Sequence, residues 1–360
     1  MEVTNKIRID RVIRFPGPLA KGFSVHYLIG TFAATPAGDA KTGDLSMFAT
    51  GQMSFTMLDD RDVVRVGGED KQDFLQNIIT NDVSRVSDAT AIWAALLTPQ
   101  GKYLHDFFVI AMDDALMLDC EGGRGGDLVE RLGRYKLRSK VEISDVSADW
   151  AVAALMGTEA DADALVGFEG RGGPFAGGIC YVDPRYGAMG SRLLFPRGEA
   201  AQLLESGFEQ AEPGIFDHTR LCMGLPDGSR DLALEKALPM ENGFDPLNGL
   251  DWDKGCYVGQ EMTARMRYRA NIRRQLLPVS IDGPAPQSGA TIFLGDRDAG
   301  EMRSSASDIG LALLRIDALE ALQGSELALT AGSSTLTPMR PPWLDQAADG
   351  KAEDDGGDNG

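Results

Sequence analysis

Lys254-Gly255-Cys256-Tyr257-Val258-Gly259-Gln260-Glu261 is the least ordinary stretch of this 360-residue chain. Cys256 follows Lys254 by two residues and lies between Gly255 and Gly259. A Lys or Arg side chain reaching the sulfur would favour thiolate and lower the thiol pKa. The two glycines let the backbone turn tightly or approach a flat ligand closely. Downstream stand Arg265, Arg267, Arg269, Arg273 and Arg274, five guanidiniums within ten residues. Such a run suits a carboxylate-bearing ligand, which arginine grips in bidentate fashion. A solvated or internally paired face is the alternative for the arginines, and a buried packing residue is the alternative for Cys256.

Around this stretch the composition bounds the possibilities. At 38.7 kDa the chain is too long for one ordinary core and suggests two or three domains. It holds 35 basic and 54 acidic residues, a net charge of −19, which disfavours a general nucleic-acid binder. Four cysteines cannot form a disulfide framework, and no run of about 18 apolar residues occurs, so a reducing, cytoplasmic setting is expected with no membrane span. Only His26, His105 and His218 are present, which argues against a His-rich metal site. His218 beside Asp217 reads either as a general base or as a structural histidine. Cys120, Cys180 and Cys222 have no metal-ligand spacing and read as packed residues.

Hydrophobic periodicity divides the chain. Residues 1–56 lack steady periodicity and read as a leader, with Met47, Met53 or Met57 as possible starts; charges interrupt any signal-peptide core. Leu58–Val66 reads as a strand, Asp70–Ile79 as a helix, and Ala91–Thr98 with Tyr103–Ala111 as a hairpin across Pro99-Gln100-Gly101-Lys102. Leu116–Cys120 and Val141–Ile143 read as strands and Asp127–Leu137 as an amphipathic helix. Gly122-Gly123-Arg124-Gly125-Gly126 lacks the Lys-Ser/Thr ending of a phosphate loop and reads as a flexible turn. The alternation resumes at Ala151–Met156, passes a Gly-rich loop over Gly167–Gly178, and continues through the strand Leu193–Phe195 and the helix Glu199–Ser206. Leu276–Ile281, Thr291–Leu294 and Ile309–Leu314 suggest a small β domain. Asp345–Gly360 carries six acids and one Lys and reads as a disordered tail. The tail's −5 leaves −14 on the body.

The octet Lys254–Glu261 resembles the signature K-G-C-[FY]-x-G-Q-E of the YgfZ-type folate-binding proteins. These are relatives of the aminomethyltransferase (T-protein) of glycine cleavage and of a mitochondrial iron–sulfur assembly factor. Arg61–Gly68, Phe74–Val83, Leu97–Lys102, Tyr135–Val141, Arg220–Pro226 and Leu238–Glu241 resemble other parts of the same pattern. The likeness runs from about Met57 to Met339. It implies an α+β fold: a T-protein-like ring of two intertwined α+β domains, with folate in a central hole, plus a small C-terminal β-barrel. The expected divisions are 1–56, 57–150, 151–270, 271–342 and an acidic tail over 343–360.

The resemblance also implies a function. The favoured reading is a tetrahydrofolate-binding accessory protein that supports assembly or repair of iron–sulfur enzymes, with those enzymes or assembly proteins as partners. Cys256 is its functional thiol and Lys254 assists it. Gly255, Tyr257, Gly259, Gln260 and Glu261 complete the motif, with Tyr257 either stacking on the pterin or packing in the core. A single Cys cannot hold a cluster, which needs about four thiolates, so a partner or a second copy must contribute. Asp106 and Glu241 are the candidates for binding the pterin, and Arg265 for the glutamate tail of folate. T-proteins carry paired acids where this chain has His105-Asp106, and they lack the Cys of the octet. Both departures disfavour aminomethyl transfer, which stays as one alternative, although His105 could shuttle protons near neutral pH. A folate-binding module without thiol chemistry is a second alternative.

Overall fold

A computed structural model describes residues 53–157, 159–269, 272–323 and 325–344. Among these residues, seventeen strands form three sheets. The first holds β2 (Arg61–Gly67), β3 (Ile92–Leu97), β4 (Tyr103–Met112), β5 (Ala115–Glu121) and β6 (Glu142–Asp145), ordered β3-β4-β5-β2-β6 with antiparallel pairing throughout. Alternation along β2, β4 and β5 gives this sheet two apolar faces. Val64, Val66, Phe107, Val109 and Leu118 pack against α1 (Lys71–Gln76) and α2 (Gly125–Lys136) through Phe74, Leu75, Leu128 and Leu132. Val63, Trp93, Tyr103, Phe108 and Ile110 face the other way.

The second sheet runs β11-β1-β7-β10-β9-β8. Its strands are β1 (Ser54–Met57), β7 (Trp150–Met156), β8 (Gly172–Phe175), β9 (Gly178–Val182), β10 (Ser191–Pro196) and β11 (Glu209–Gln210). Val152, Ala154, Ile179, Tyr181 and Leu194 meet the second face of the first sheet in one shared core. The opposite face packs Phe55, Ala153, Cys180, Phe195 and Leu203, with α3 (Glu159–Ala164) and α4 (Ala201–Glu205) in the connections. Because β1 precedes every strand of the first sheet but pairs with β7 and β11, the two units are intertwined.

A connecting stretch follows, with α5 (Pro213–Cys222), α6 (Gly228–Asp231) and α7 (Gln260–Arg269). The barrel closes in the order β12-β15-β14-β13-β16-β17. Its strands are β12 (Arg274–Asp282), β13 (Thr291–Leu294), β14 (Arg297–Ala306), β15 (Ile309–Arg315), β16 (Leu329–Ala331) and β17 (Ser334–Pro338), and α8 (Ile316–Leu322) packs on its apolar interior. No described helix is long and apolar enough to cross a membrane.

Several expectations need correction. The residues expected as a leader include β1, which is paired on both edges, and Met53, buried beside Phe55. A fold boundary at 57 would remove that strand. Trp343, expected in the tail, is buried and donates from Nε1 to the Met223 carbonyl at 2.7 Å. The Gly-rich segment over 167–178 is largely the β8–β9 hairpin. In the run over 122–126, Gly125 and Gly126 open α2. A Cβ on Gly122 would lie 2.5 Å from the Asp60 backbone, so that glycine serves a close approach. Residues 1–52 and 345–360, which carry the rest of the leader and tail expectations, lie outside the described residues.

Candidate functional site: an anchored loop that exposes a thiol

The octet is pinned to the first sheet at both ends. At its start, Lys254 is half-buried and its ammonium donates to the carbonyls of Ile79 and Asn81, both at 2.6 Å. The ammonium also lies 5.3 Å from the centroid of the Tyr257 ring. Burial pulls its pKa down to about 8, against the nearby charges of Asp82 and Asp251. Gln76 donates to the Lys254 carbonyl at 3.3 Å, and its amide is shared with Asp82. At the other end, Gly259 adopts φ +87° against the β3–β4 turn. A Cβ there would meet the Thr98 carbonyl oxygen at 2.6 Å and Gly101 Cα at 3.0 Å. Gly101 reciprocates, since a Cβ on it would lie 2.9 Å from the Gly259 oxygen.

The two glycines of the motif therefore have different jobs. Gly259 allows two backbones of the same chain to touch. Gly255 turns at φ +92° in open space. Between them Cys256 is exposed and Tyr257 is buried. Tyr257 belongs to the shared core, and burial raises its hydroxyl pKa to about 12. Gln260 closes the loop by donating to the Gly255 carbonyl at 3.0 Å. Lys254, Tyr257, Gly259 and Gln260 all hold the loop, and the thiol stands proud of it. Lys254 thus acts as an anchor through two carbonyls rather than as the thiolate-stabilising cation expected from its spacing.

The residues expected to hold folate differ in their surroundings. Asp106 on β4 is fully buried, with its two oxygens taken by Tyr103 Oη at 2.7 Å and Trp93 Nε1 at 3.1 Å. Burial pushes its carboxyl pKa up, although the Arg61 charge and these bonds oppose the rise. Glu241, in the short turn Pro239–Asn242, accepts from the backbone of Arg273 and Arg274 where the barrel begins; burial raises its pKa as well. Arg265 is exposed on α7 and pairs with Glu261 at 3.0 Å. Arg267 stacks 4.2 Å from the centroid of the Trp252 ring. Arg265 and Arg267 are thus exposed and engage different partners rather than one carboxylate site. Asp106, Glu241 and Arg265 are each engaged by groups of the chain itself.

Strand alternation also separates His105 from Asp106. Asp106 faces the shared core, whereas His105 faces α2 and donates from Nε2 to Asp127 at 2.8 Å. Burial and then the Arg124 charge pull His105 down to about 4, against the pull of Asp127. It is thereby held neutral at physiological pH, on the face of β4 opposite Asp106.

The shared core holds a polar network that the sequence reading missed. Asp119 on β5 binds Arg61 at 2.6 Å and Arg192 of β10 at 2.8 Å, and Arg61 reaches Asp227 at 3.2 Å. Burial raises the Asp119 carboxyl, but Arg192 and Arg61 overcome it and hold the pKa low. Arg192 and Arg185 lie 4.1 and 5.1 Å from the centroid of the Phe108 ring. A cavity of about 370 Å³ opens beside the network, lined in part by Thr56, Arg61, Arg192, Phe216, Asp227 and Arg230. A signal was available, since Asp119 interrupts the apolar strand Leu116-Met117-Leu118-Asp119-Cys120, and a charge so placed needs a buried partner.

Comparison with known proteins bears on this geometry. Residues 273–346 match the C-terminal β-barrel domain of CAF17, and residues 49–165 match the GCVT N-terminal domain. The chain is 31% identical over 298 residues to the mitochondrial iron–sulfur cluster assembly factor IBA57 of Homo sapiens, covering 76% of this chain and 82% of the relative. Against the Mus musculus protein of that name it is 31% identical over 323 residues, covering 81% and 85%. The glycine cleavage aminomethyltransferase T of Bartonella henselae superposes with a TM-score of 0.65 at 15% identity, covering 84% of this chain and 88% of that one. The α+β fold with a closed terminal barrel is therefore T-protein-like. The named relatives are mitochondrial proteins, which overturns the cytoplasmic setting expected from the cysteine content.

Proposed function

Because the chain belongs to the family of the iron–sulfur cluster assembly factor IBA57, we propose that it supports iron–sulfur cluster assembly through the thiol of Cys256. One observation carries this reading: a loop anchored at Lys254 and Gly259 exposes its cysteine next to the buried Tyr257. An anchored loop spends little further conformational entropy when the sulfur engages a cluster or a partner thiol.

The other cysteines limit the role. Cys120 and Cys180 are buried, and burial raises both thiols far above the usual range. Cys222 is half-buried and pushed up to about 11, by burial first and then by Asp308. Among the described residues no group of three or more His, Cys, Asp or Glu is arranged to hold a metal ion. One exposed thiolate supplies one of about four cluster ligands, so the cluster is cargo shared with a partner protein or a second copy.

Aminomethyl transfer is set aside because the inward acid, Asp106, is already engaged by Tyr103 and Trp93. The test is complementation of cells that lack this chain, read as the activity of an iron–sulfur enzyme. Cys256→Ser should abolish rescue while Cys120→Ser retains it. Full rescue by Cys256→Ser would overturn the thiol reading.

A further inference from the structure

A second thiol lies beside an imidazole elsewhere on the molecule. His218 and Cys222 are one turn apart on α5, and Cys222 Sγ is 3.6 Å from His218 Nδ1. The opposite ring nitrogen, Nε2, lies 3.3 Å from Asp308 Oδ1. With Nε2–H donating to the carboxylate, Nδ1 is left to accept from the thiol. A nucleophile, a base and a group that orients the base thus stand in order.

Both arms of this arrangement are held by the barrel. Leu221, beside Cys222, is fully buried against Leu276, Ile309, Leu311 and Leu313. The helix end is tied by Trp343, which donates to the Met223 carbonyl. Asp308 sits in the β14–β15 turn after Ser307, whose φ of +55° is uncommon for a side-chain-bearing residue. Its carbonyl accepts from Ile281 N at 2.8 Å. His218 and Asp308 are partly open to solvent, at 36% and 55% of their side-chain area, so the imidazole edge is accessible.

We propose that Cys222, His218 and Asp308 form a second thiol site, at which His218 acts as base while Cys222 reduces a small peroxide. Cys222 is half-buried against the Leu221 cluster, which disfavours a bulky disulfide as the reactant. With hydrogen peroxide the step balances within the site. The sulfur attacks the nearer peroxide oxygen as its proton passes to His218 Nδ1. The O–O bond breaks, and the imidazolium returns the proton to the departing hydroxide. One thiol and one peroxide give one sulfenic acid at Cys222 and one water; sulfur is oxidised and peroxide reduced. Asp308 is a positioning residue in this scheme. The thiol is protonated at rest, so the base is required. The site is independent of the role proposed for Cys256, whose exposed loop contains no histidine.

The test exposes the full chain to hydrogen peroxide, traps sulfenic acid with dimedone, and reads each cysteine by mass spectrometry. His218→Ala should slow labelling of Cys222 about tenfold or more, within the range of general-base effects. Asp308→Asn should slow it several-fold, and the Cys256 rate should be the same in all three proteins. Buried Cys120 and Cys180 report on the fold, because they stay unlabelled while it is intact. Equal Cys222 rates in wild type and in either folded variant would overturn the proposal. So would a Cys222 that stays unlabelled in wild type while Cys256 reacts.

Discussion

The octet loop and strand β4 each carry a compact set of polar residues, yet they use them in opposite ways. In the loop, neighbours in sequence act together. Lys254 and Gly259 fix the backbone, Gln260 closes it, and Cys256 is left free between them. On β4, neighbours in sequence are driven apart. His105 goes to the α2 side, and Asp106 goes to the shared core with Tyr103 and Trp93. A motif in a loop is a unit because turns bring successive residues to one side. A dipeptide in a strand is two half-sites, because the pleat has a period of two. The same-looking signal, adjacent polar residues after a Gly, therefore supports a joint role in one region and none in the other.

The sharpest way to break this contrast is at Asp106. If it is a structural centre, Asp106→Ala strands two buried donors, Tyr103 Oη and Trp93 Nε1, and should destabilise the protein by about 3 kcal/mol in chemical denaturation. A change below about 0.5 kcal/mol would return the carboxylate to the pool of ligand-binding candidates.

A comparable effect belongs to the other face of the strand. His105 has a folded pKa near 4, below its ordinary 6.5, so the unfolded chain takes up the proton first as the pH falls. Its contribution to stability is complete above pH 6.5 and is lost between about 6.5 and 4, by up to roughly 3 kcal/mol. The wild type should lose that much more stability than His105→Gln across this interval. Parallel stability curves would mean that His105 is solvated and able to exchange protons after all.

Gly259→Ala gives the smaller test, on the loop. Its Cβ has no room against Thr98 and Gly101, and its φ is unfavourable for alanine, so a loss of about 2 kcal/mol is expected. Gly255→Ala lacks the steric term and should lose less. Equal losses would show that the loop end is not docked on the β3–β4 turn.

The elements of the first sheet were legible because their signals are local. Val63, Val64 and Val66 alternate toward two cores, Phe74 and Leu75 sit on one helical face, and Gly101 marks the hairpin turn. The long strand β14 was missed because Arg297–Ala306 is rich in charged and small residues and lacks a strong apolar alternation. The β8–β9 hairpin was read as a loop for a related reason. Its glycines admit close backbone packing, as a Cβ on Gly178 would lie 1.9 Å from the Leu194 carbonyl oxygen. At the candidate site, the motif named the thiol but not its surroundings. Lys254 finds its carbonyl partners more than 170 residues away, and His218 meets Asp308 across 90.

The sequence by itself determined the alternating α+β order, the terminal β module, and the octet that marks Cys256. Each is written in spacing, turn chemistry or a contiguous motif. Only the tertiary structure decided what the charged groups do: Asp119 joins two sheets through Arg61 and Arg192, Asp106 is satisfied internally, and His218 is set between Cys222 and Asp308. The physical reason is that a charge removed from water takes whichever partner packing brings within about 3 Å, and that partner is chosen by the fold rather than by proximity along the chain.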